Sequence, residues 1–167
     1  RSVTKHAARA MTPEEIPATV QEAFRQLRTG RPRPVEVEIP PDVLLTCASV
    51  ALLPPAAPRE RLTGDPDLIE RAAQLLGQAH SPLIYAGGGV LRAGATEELV
   101  HLAGMLQAPV IVSTNGKGAI SDRHYLAQGQ VADRELRGKA DVILAVGTRF
   151  VDITGEPRSV AKGQTLV

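Results

Sequence analysis

Aromatic residues are scarce in this sequence: two Phe, two Tyr and no Trp among 167 residues. A base-stacking platform needs exposed rings, so the scarcity argues against a single-stranded nucleic-acid binder. An excess of one charge is missing too. Nineteen Lys and Arg face eighteen Asp and Glu, net +1, which gives no field to draw in nucleic acid or an anionic membrane surface. Cys47 stands alone, which excludes a disulfide framework and a cysteine-based metal cluster. A lone thiol of this kind is expected to be buried and inert. The most apolar run without charge, Val43 to Ala57, contains Pro54 and Pro55 and is too short to span a bilayer. The chain opens at Arg1 with no signal-peptide pattern and stops at Val167 with no closing element. It is expected to be a piece of a longer cytoplasmic protein.

What is present is organised around Pro82-Leu83-Ile84-Tyr85-Ala86-Gly87-Gly88-Gly89-Val90. A short apolar run ends in three glycines and a helical pattern follows, the form of a buried parallel strand turning sharply into a helix. Glycine lets a ligand approach with no Cβ in the way, and the N–H groups of a helix start favour an anion such as a diphosphate. The stretch therefore proposes a nucleotide-type pocket at the carboxyl end of a strand. The full dinucleotide spacing would need glycine where Arg92 stands. The acidic residue expected about 20 residues further on is replaced by Ser113-Thr114-Asn115. A tight turn with no ligand fits the same residues.

Thr12-Pro13-Glu14-Glu15 predicts a capping box, with Thr12 as N-cap and Glu15 reaching back. Ile16, Val20, Ala23, Phe24 and Leu27 mark one face of the helix that follows, with Gly30 as its terminal cap. Val35, Val37 and Ile39 alternate with Glu36 and Glu38 as a half-exposed strand, ended by Pro40-Pro41. Residues 1–41 hold too little to bury a core and predict the C-terminal piece of a preceding α/β domain. The proline-rich, apolar residues 42–64 predict a linker along a protein surface, with Arg59-Glu60-Arg61 as a solvated face.

From Asp65-Pro66 onward the pattern is helix, strand, helix, strand, helix, strand. Helices are predicted over Pro66–Ala79, about Ala95–Gln107 and near 131–138, and strands over 82–86, 109–112 and 141–146. Short links of this kind imply right-handed crossovers and a parallel sheet. Strands apolar on both sides imply helices on both faces. The fold class is thus α/β, a three-layer Rossmann-like parallel sheet over 65–167, with an N-terminal helix–strand appendage. All strand ends then face one side, where three loops converge: Gly87-Gly88-Gly89, Asn115-Gly116-Lys117 with its neighbours Thr114 and Gly118, and Gly147-Thr148-Arg149. Lys117 and Arg149 each bring a cation, and Arg149 could grip a phosphate through two N–H groups. The alternative is that small residues make tight turns and both cations are solvated.

No catalytic constellation is visible. His6, His80, His101 and His124 lack metal-ligand spacing, and His101 is expected on the surface. Ser121, Asp122 and His124 are loop neighbours, which do not take up relay geometry. His124 is expected to order the loop after Lys117.

Three segments resemble thiamine-diphosphate-dependent enzymes of the acetolactate synthase type. They are Pro82–Val90, Ala108 to Ile120 (APVIVSTNGKGAI) and Ala140 to Asp152 (ADVILAVGTRFVD). Residues 2–42 resemble the end of that family's pyrimidine-binding domain, and 65–157 the first two-thirds of its central domain. The resemblance implies a parent enzyme in which the thiamine ylide attacks a 2-keto acid, carbon dioxide leaves, and the enamine is protonated or joined to a second carbonyl compound. It implies that thiamine diphosphate and Mg²⁺ are held by flanking domains outside this chain, so that the chain alone is inactive. It also implies dimers or tetramers. In the synthase branch the central domain holds FAD, and Gly87, Gly88, Gly89, Asn115, Gly116, Lys117, Gly147, Thr148 and Arg149 would line that site. Gly129–Asp133 and Tyr125 depart from the branch's usual residues, so FAD, an ADP-like ligand and an empty cleft all stay open. Two other readings remain: an NAD-dependent oxidoreductase domain, and an interaction module with no ligand.

Overall fold

A computed structural model describes residues 3–55, 63–152 and 154–167. The chain divides into two compact units, Arg1–Thr63 and Gly64–Val167. Arg59-Glu60-Arg61 lies outside the described residues.

In the first unit, β1 (His6–Arg9) pairs in parallel with β2 (Val35–Glu38), and α1 (Ile16–Arg28) connects them. β1 escaped the sequence reading because His6-Ala7-Ala8-Arg9 has neither alternation nor β-branched residues. The capping box differs as well. Residues 13–15 form a 3₁₀ turn, and Glu15 Oε2 accepts from the Met11 N–H at 2.7 Å instead of from Thr12. Thr12 makes no side-chain cap bond. At the other end of α1, Lys5 Nζ donates to the carbonyls of Gln26 (2.7 Å), Thr29 and Arg31. A cation there satisfies carbonyls that the helix leaves without partners.

The short α2 (Pro41–Leu45) buries Val43. The residues after it run without regular structure to Pro55, and the Pro54 carbonyl accepts from Gln21 Nε2 of α1 at 2.8 Å. Cys47 lies in that run and is exposed, not buried as expected. A segment without regular structure has no repeating face to turn inward, so the thiol stays at the surface.

The second unit is a five-stranded sheet in the order β5-β4-β3-β6-β7, parallel throughout. The strands are β3 (Pro82–Ala86), β4 (Val110–Val112), β5 (Ala127–Gln128), β6 (Val142–Val146) and β7 (Thr165–Leu166). The helices are α3 (Pro66–Gly77), α4 (Gly88–Ala93), α5 (Thr96–Leu106) and α6 (Asp133–Lys139). Asp65 caps α3 as expected, accepting from the N–H groups of Asp67 (3.0 Å) and Leu68 (3.4 Å).

Alternate residues of the central strands feed two cores. Ile84, Ala86 and Val110 face Val90, Leu99 and Ala103 of α4 and α5. Leu83, Tyr85, Ile111 and Ile143 face the opposite side, with Ala140, Phe150 and Leu136 of α6. Burying each of these larger side chains stabilises the fold by about 1.5–3 kcal/mol. Helices on both faces make this the three-layer α/β sheet that the pattern predicts. The helical pattern after Gly88 is two helices, because Gly94 (φ +65°) ends α4 in the left-handed region. β5 and β7, two residues each, are too short to show a period.

Asp141, just before β6, ties the α3–β3 link to that strand. Its carboxylate accepts from the N–H groups of His80 (2.6 Å), Ser81 (3.0 Å) and Val142 (2.8 Å). Loss of solvent works against the charge, but these backbone donors outweigh it and hold the carboxyl below its ordinary value. A carboxyl lowered on folding contributes stability that is fully present above its unfolded value, about 3.9, and disappears as pH falls through the lower folded value. Asp141→Asn is therefore expected to cost stability at neutral pH by about 1–3 kcal/mol. The gap from wild type should close as urea midpoints are followed below pH ~4. A gap that stays constant through the acid range would show that Asp141 makes no such contribution.

Candidate functional site: one rim, built by backbone contact

The carboxyl ends of all five strands lie on one side, and the three glycine turns meet there. Gly87 N–H donates to the Val146 carbonyl at 2.9 Å, and Gly89 N–H to the Gly147 carbonyl at 2.8 Å. A Cβ added at Gly87 would sit 2.6 Å from Thr148 Cα and closer still to the Gly147 oxygen. At Gly88 it would lie 2.6 Å from the Asn115 oxygen, and at Gly89 2.5 Å from Gly147 Cα. Gly116 faces the Ala86 oxygen at 2.6 Å in the same way. Gly147 itself has φ +60°, with Val90 N 2.6 Å from its missing Cβ. These glycines bring backbone to backbone.

This has a consequence for ligand binding. From β3 the chain moves outward to β4 and β5, then returns to lay β6 on the other side of β3. The point of reversal, between β3 and β6, is where such sheets usually open a crevice. Here the Gly87 and Gly147 turns close on each other at that point. The Gly89 N–H at the head of α4, a donor an anion would use, is already taken by the Gly147 carbonyl.

The open space lies one strand over. A cleft of about 520 Å³ sits outside β4 and β5, lined by Val112, Ser113, Thr114, Lys117, Asp122, Gln128 and Gln130 among others. This volume falls within the range of pockets that hold drug-sized ligands. Its lining mixes apolar side chains (Val110, Ile120, Ala127) with hydroxyl, amide and ammonium groups and the carboxylate of Asp122. Of the nine residues expected at the site, Lys117 lines this cleft. Asn115 and Gly116 form the adjoining 3₁₀ turn, Thr114–Gly116. Gly87, Gly88, Gly89, Gly147, Thr148 and Arg149 stand along the rim toward β6. Asn115, Lys117 and Arg149 are exposed, Thr148 is half-buried, and no ion pair holds Lys117 or Arg149 among the described residues. His124 orders the loop before β5. Its Nδ1 accepts from the Leu126 N–H at 3.2 Å, and its ring stacks on Tyr125 at 4.9 Å. His101 is exposed, as expected.

Sequence reasoning missed a buried charged cluster beneath the rim. Asp133 of α6, 8% exposed, pairs with Arg158 and approaches Arg137 Nε at 3.5 Å. The Arg158 guanidinium lies over the Tyr85 ring, 4.8 Å from its centre. Tyr85 meets Phe150 edge to face, with ring centres 5.3 Å apart. Burial pushes the Tyr85 phenol above its ordinary value, against the pull of the Arg158 charge. Phe150 has φ +50°, a conformation a bulky side chain seldom adopts. The Asp133–Arg137 spacing of four was a visible helical pair, but nothing in the sequence connects it to residue 158. Among the described residues, no group of three or more His, Cys, Asp or Glu could hold a metal ion.

A parallel sheet covered on both faces by helices, with its strand ends gathered along one edge, defines a Rossmann-like three-layer α/β domain. Residues 69–167 match the family model described as thiamine pyrophosphate enzyme, central domain. The chain belongs to that family. It is 37% identical over 172 residues to a probable acetolactate synthase large subunit of Methanocaldococcus jannaschii, covering 95% of this chain and 29% of the relative. It is 36% identical over 166 residues to an acetolactate synthase of Arthrospira platensis, covering 90% and 28%. An Escherichia coli acetolactate synthase isozyme 3 large subunit is 35% identical over 166 residues, covering 92% and 29%. The chain thus spans less than a third of the length of these relatives.

Proposed function

We propose that the chain is the central-domain portion of a thiamine-diphosphate-dependent enzyme acting on a 2-keto acid, a lyase or transferase of the acetolactate synthase type. In this reading it serves as scaffold and as a nucleotide-type site. Thiamine diphosphate and Mg²⁺, the electron sink and its diphosphate anchor, belong to flanking domains. The chain alone then neither binds them nor turns over substrate. A cytoplasmic setting is consistent with Cys47, an exposed thiol with no partner in the chain. Assembly as a dimer or tetramer follows from the family resemblance.

The nucleotide reading is carried by one observation: the cleft beside the fused turns is lined by apolar side chains, by amide and hydroxyl groups, and by Lys117, with Asp122 as its one carboxylate. Those groups fit a heterocycle with a phosphate tail, such as ADP or the ADP half of FAD. Gly87, Gly88 and Gly89 would then act by shaping the rim rather than by touching the phosphates. Calorimetric titration with ADP and with FAD tests this. Micromolar binding is expected, weakened about tenfold or more by Lys117→Ala through loss of a charged contact. Absence of binding, or equal affinity in the variant, would refute it.

Closure of the crevice between β3 and β6 favours a second reading, a sheet that only positions its neighbours. A side-chain-filled cleft in crystals soaked with nucleotide would support it. Binding of NADH in preference to ADP would instead bring back the oxidoreductase reading.

A further inference from the structure

Four contacts meet on Arg158. Its backbone N–H donates to the Phe150 carbonyl at 3.0 Å, and its Nε–H to the Val151 carbonyl at 3.1 Å. Nη1 is paired with Asp133 on α6, and the guanidinium carbon lies 4.8 Å from the centre of the Tyr85 ring. The side chain is 12% exposed. Tyr85 stands on β3 two residues before Gly87, and Phe150 directly follows Arg149. Arg158 therefore joins the turn that carries Arg149 to the strand that carries the glycine turn. Phe150, at φ +50°, needs its surroundings to hold it there.

We propose that Arg158 is a positioning residue for the loop after β6: it clamps Phe150 and Val151 against Tyr85 and Asp133, and so fixes the path the chain takes as it leaves the rim at Arg149. A planar guanidinium can stack on the ring while donating in two in-plane directions, and an ammonium cannot. The clamp stands apart from the nucleotide reading above.

Hydrogen exchange on the full chain carrying Arg158→Lys tests the clamp while keeping the charge. The amides of Asp152 and Gly155, and the amide at position 158, are hydrogen-bonded within the loop. They are expected to exchange about tenfold faster or more, while Ile84 and Val110 in the sheet stay within about twofold of wild type. Uniform acceleration at every amide would reduce Arg158 to a general stabiliser and overturn the proposal, as would an unchanged loop. ADP titration is the control. Neither Arg149 nor Arg158 lines the cleft outside β4 and β5, so Arg158→Lys should leave ADP affinity within about twofold of wild type. A loss as large as that of Lys117→Ala would show a disturbance of the whole unit and overturn the local clamp. If wild type binds no ADP, the nucleotide reading fails and the exchange result alone decides the clamp.

Discussion

Gly87→Ala is expected to destabilise the Gly64–Val167 unit by about 3 kcal/mol or more, the upper range for forcing atoms into a filled interior. The obstacle is backbone on both sides. The new methyl would meet Thr148 Cα at 2.6 Å and the Gly147 carbonyl closer still, and neither can swing away as a side chain tip could. Gly87 itself has φ −112°, so the cost is a collision and not a forbidden dihedral. Relief requires the β3 and β6 turns to part, which also breaks the bond from Gly89 N–H to Gly147. A domain stable by about 5–15 kcal/mol loses a large share of its stability that way. Gly104→Ala is the internal control. It lies inside α5 with nothing within 4 Å of its missing Cβ. There alanine is expected to stabilise by about 0.5–1 kcal/mol through the helix. Urea denaturation of both variants checks the pair. A Gly87→Ala protein as stable as wild type would mean that the turns are not in backbone contact.

Asp133→Ala should cost a comparable amount, about 3–5 kcal/mol, the usual loss when one member of a buried ion pair is removed. Two guanidinium groups are involved. Arg158 and Arg137, with side chains 12% and 21% exposed, would be left in the core without their shared carboxylate. The pair as a whole contributes much less than this figure suggests, because desolvation offsets most of the attraction. Replacing Asp133, Arg137 and Arg158 together with apolar residues of similar volume should therefore cost less than Asp133→Ala alone. Thermal or urea unfolding of the single and triple variants separates the two. A single variant within about 1 kcal/mol of wild type would show that solvent reaches the cluster freely.

The sequence made the second unit legible because its signals were redundant. Asp65-Pro66 capped α3, apolar runs at 82–86 and 142–146 became the two longest strands, and glycine followed both. The layered parallel sheet follows from that order. Short elements were invisible for a physical reason: β5 and β7 exist through pairing with long neighbours, not through a pattern of their own. In the first unit β1 is a strand because β2 lies beside it, although His6-Ala7-Ala8-Arg9 carries little strand propensity. The exposure of Cys47 escaped because residue type predicts burial only inside a repeating element.

The candidate site was half legible. The convergence of Gly87–Gly89, Asn115–Lys117 and Gly147–Arg149 on one rim followed from strand direction alone. The use of those glycines did not, since glycine serves a ligand and a neighbouring backbone through the same absence of Cβ. Only the distances from Gly87 and Gly89 to the Gly147 turn distinguish the two. The cleft therefore appears beside β4 and β5, where Gln128 and Gln130 contribute without any sequence motif. The cluster of Asp133, Arg137 and Arg158 was hidden because its partners lie 25 residues apart and meet only through the fold.

Determining a crystal structure of the chain grown with ADP tests the central claim most directly. The account predicts ligand density in the cleft outside β4 and β5, with the phosphates within hydrogen-bond reach of Lys117 and the Gly87 and Gly147 turns still in contact. Density at any other place, or a cleft without nucleotide at saturating ADP, would contradict it.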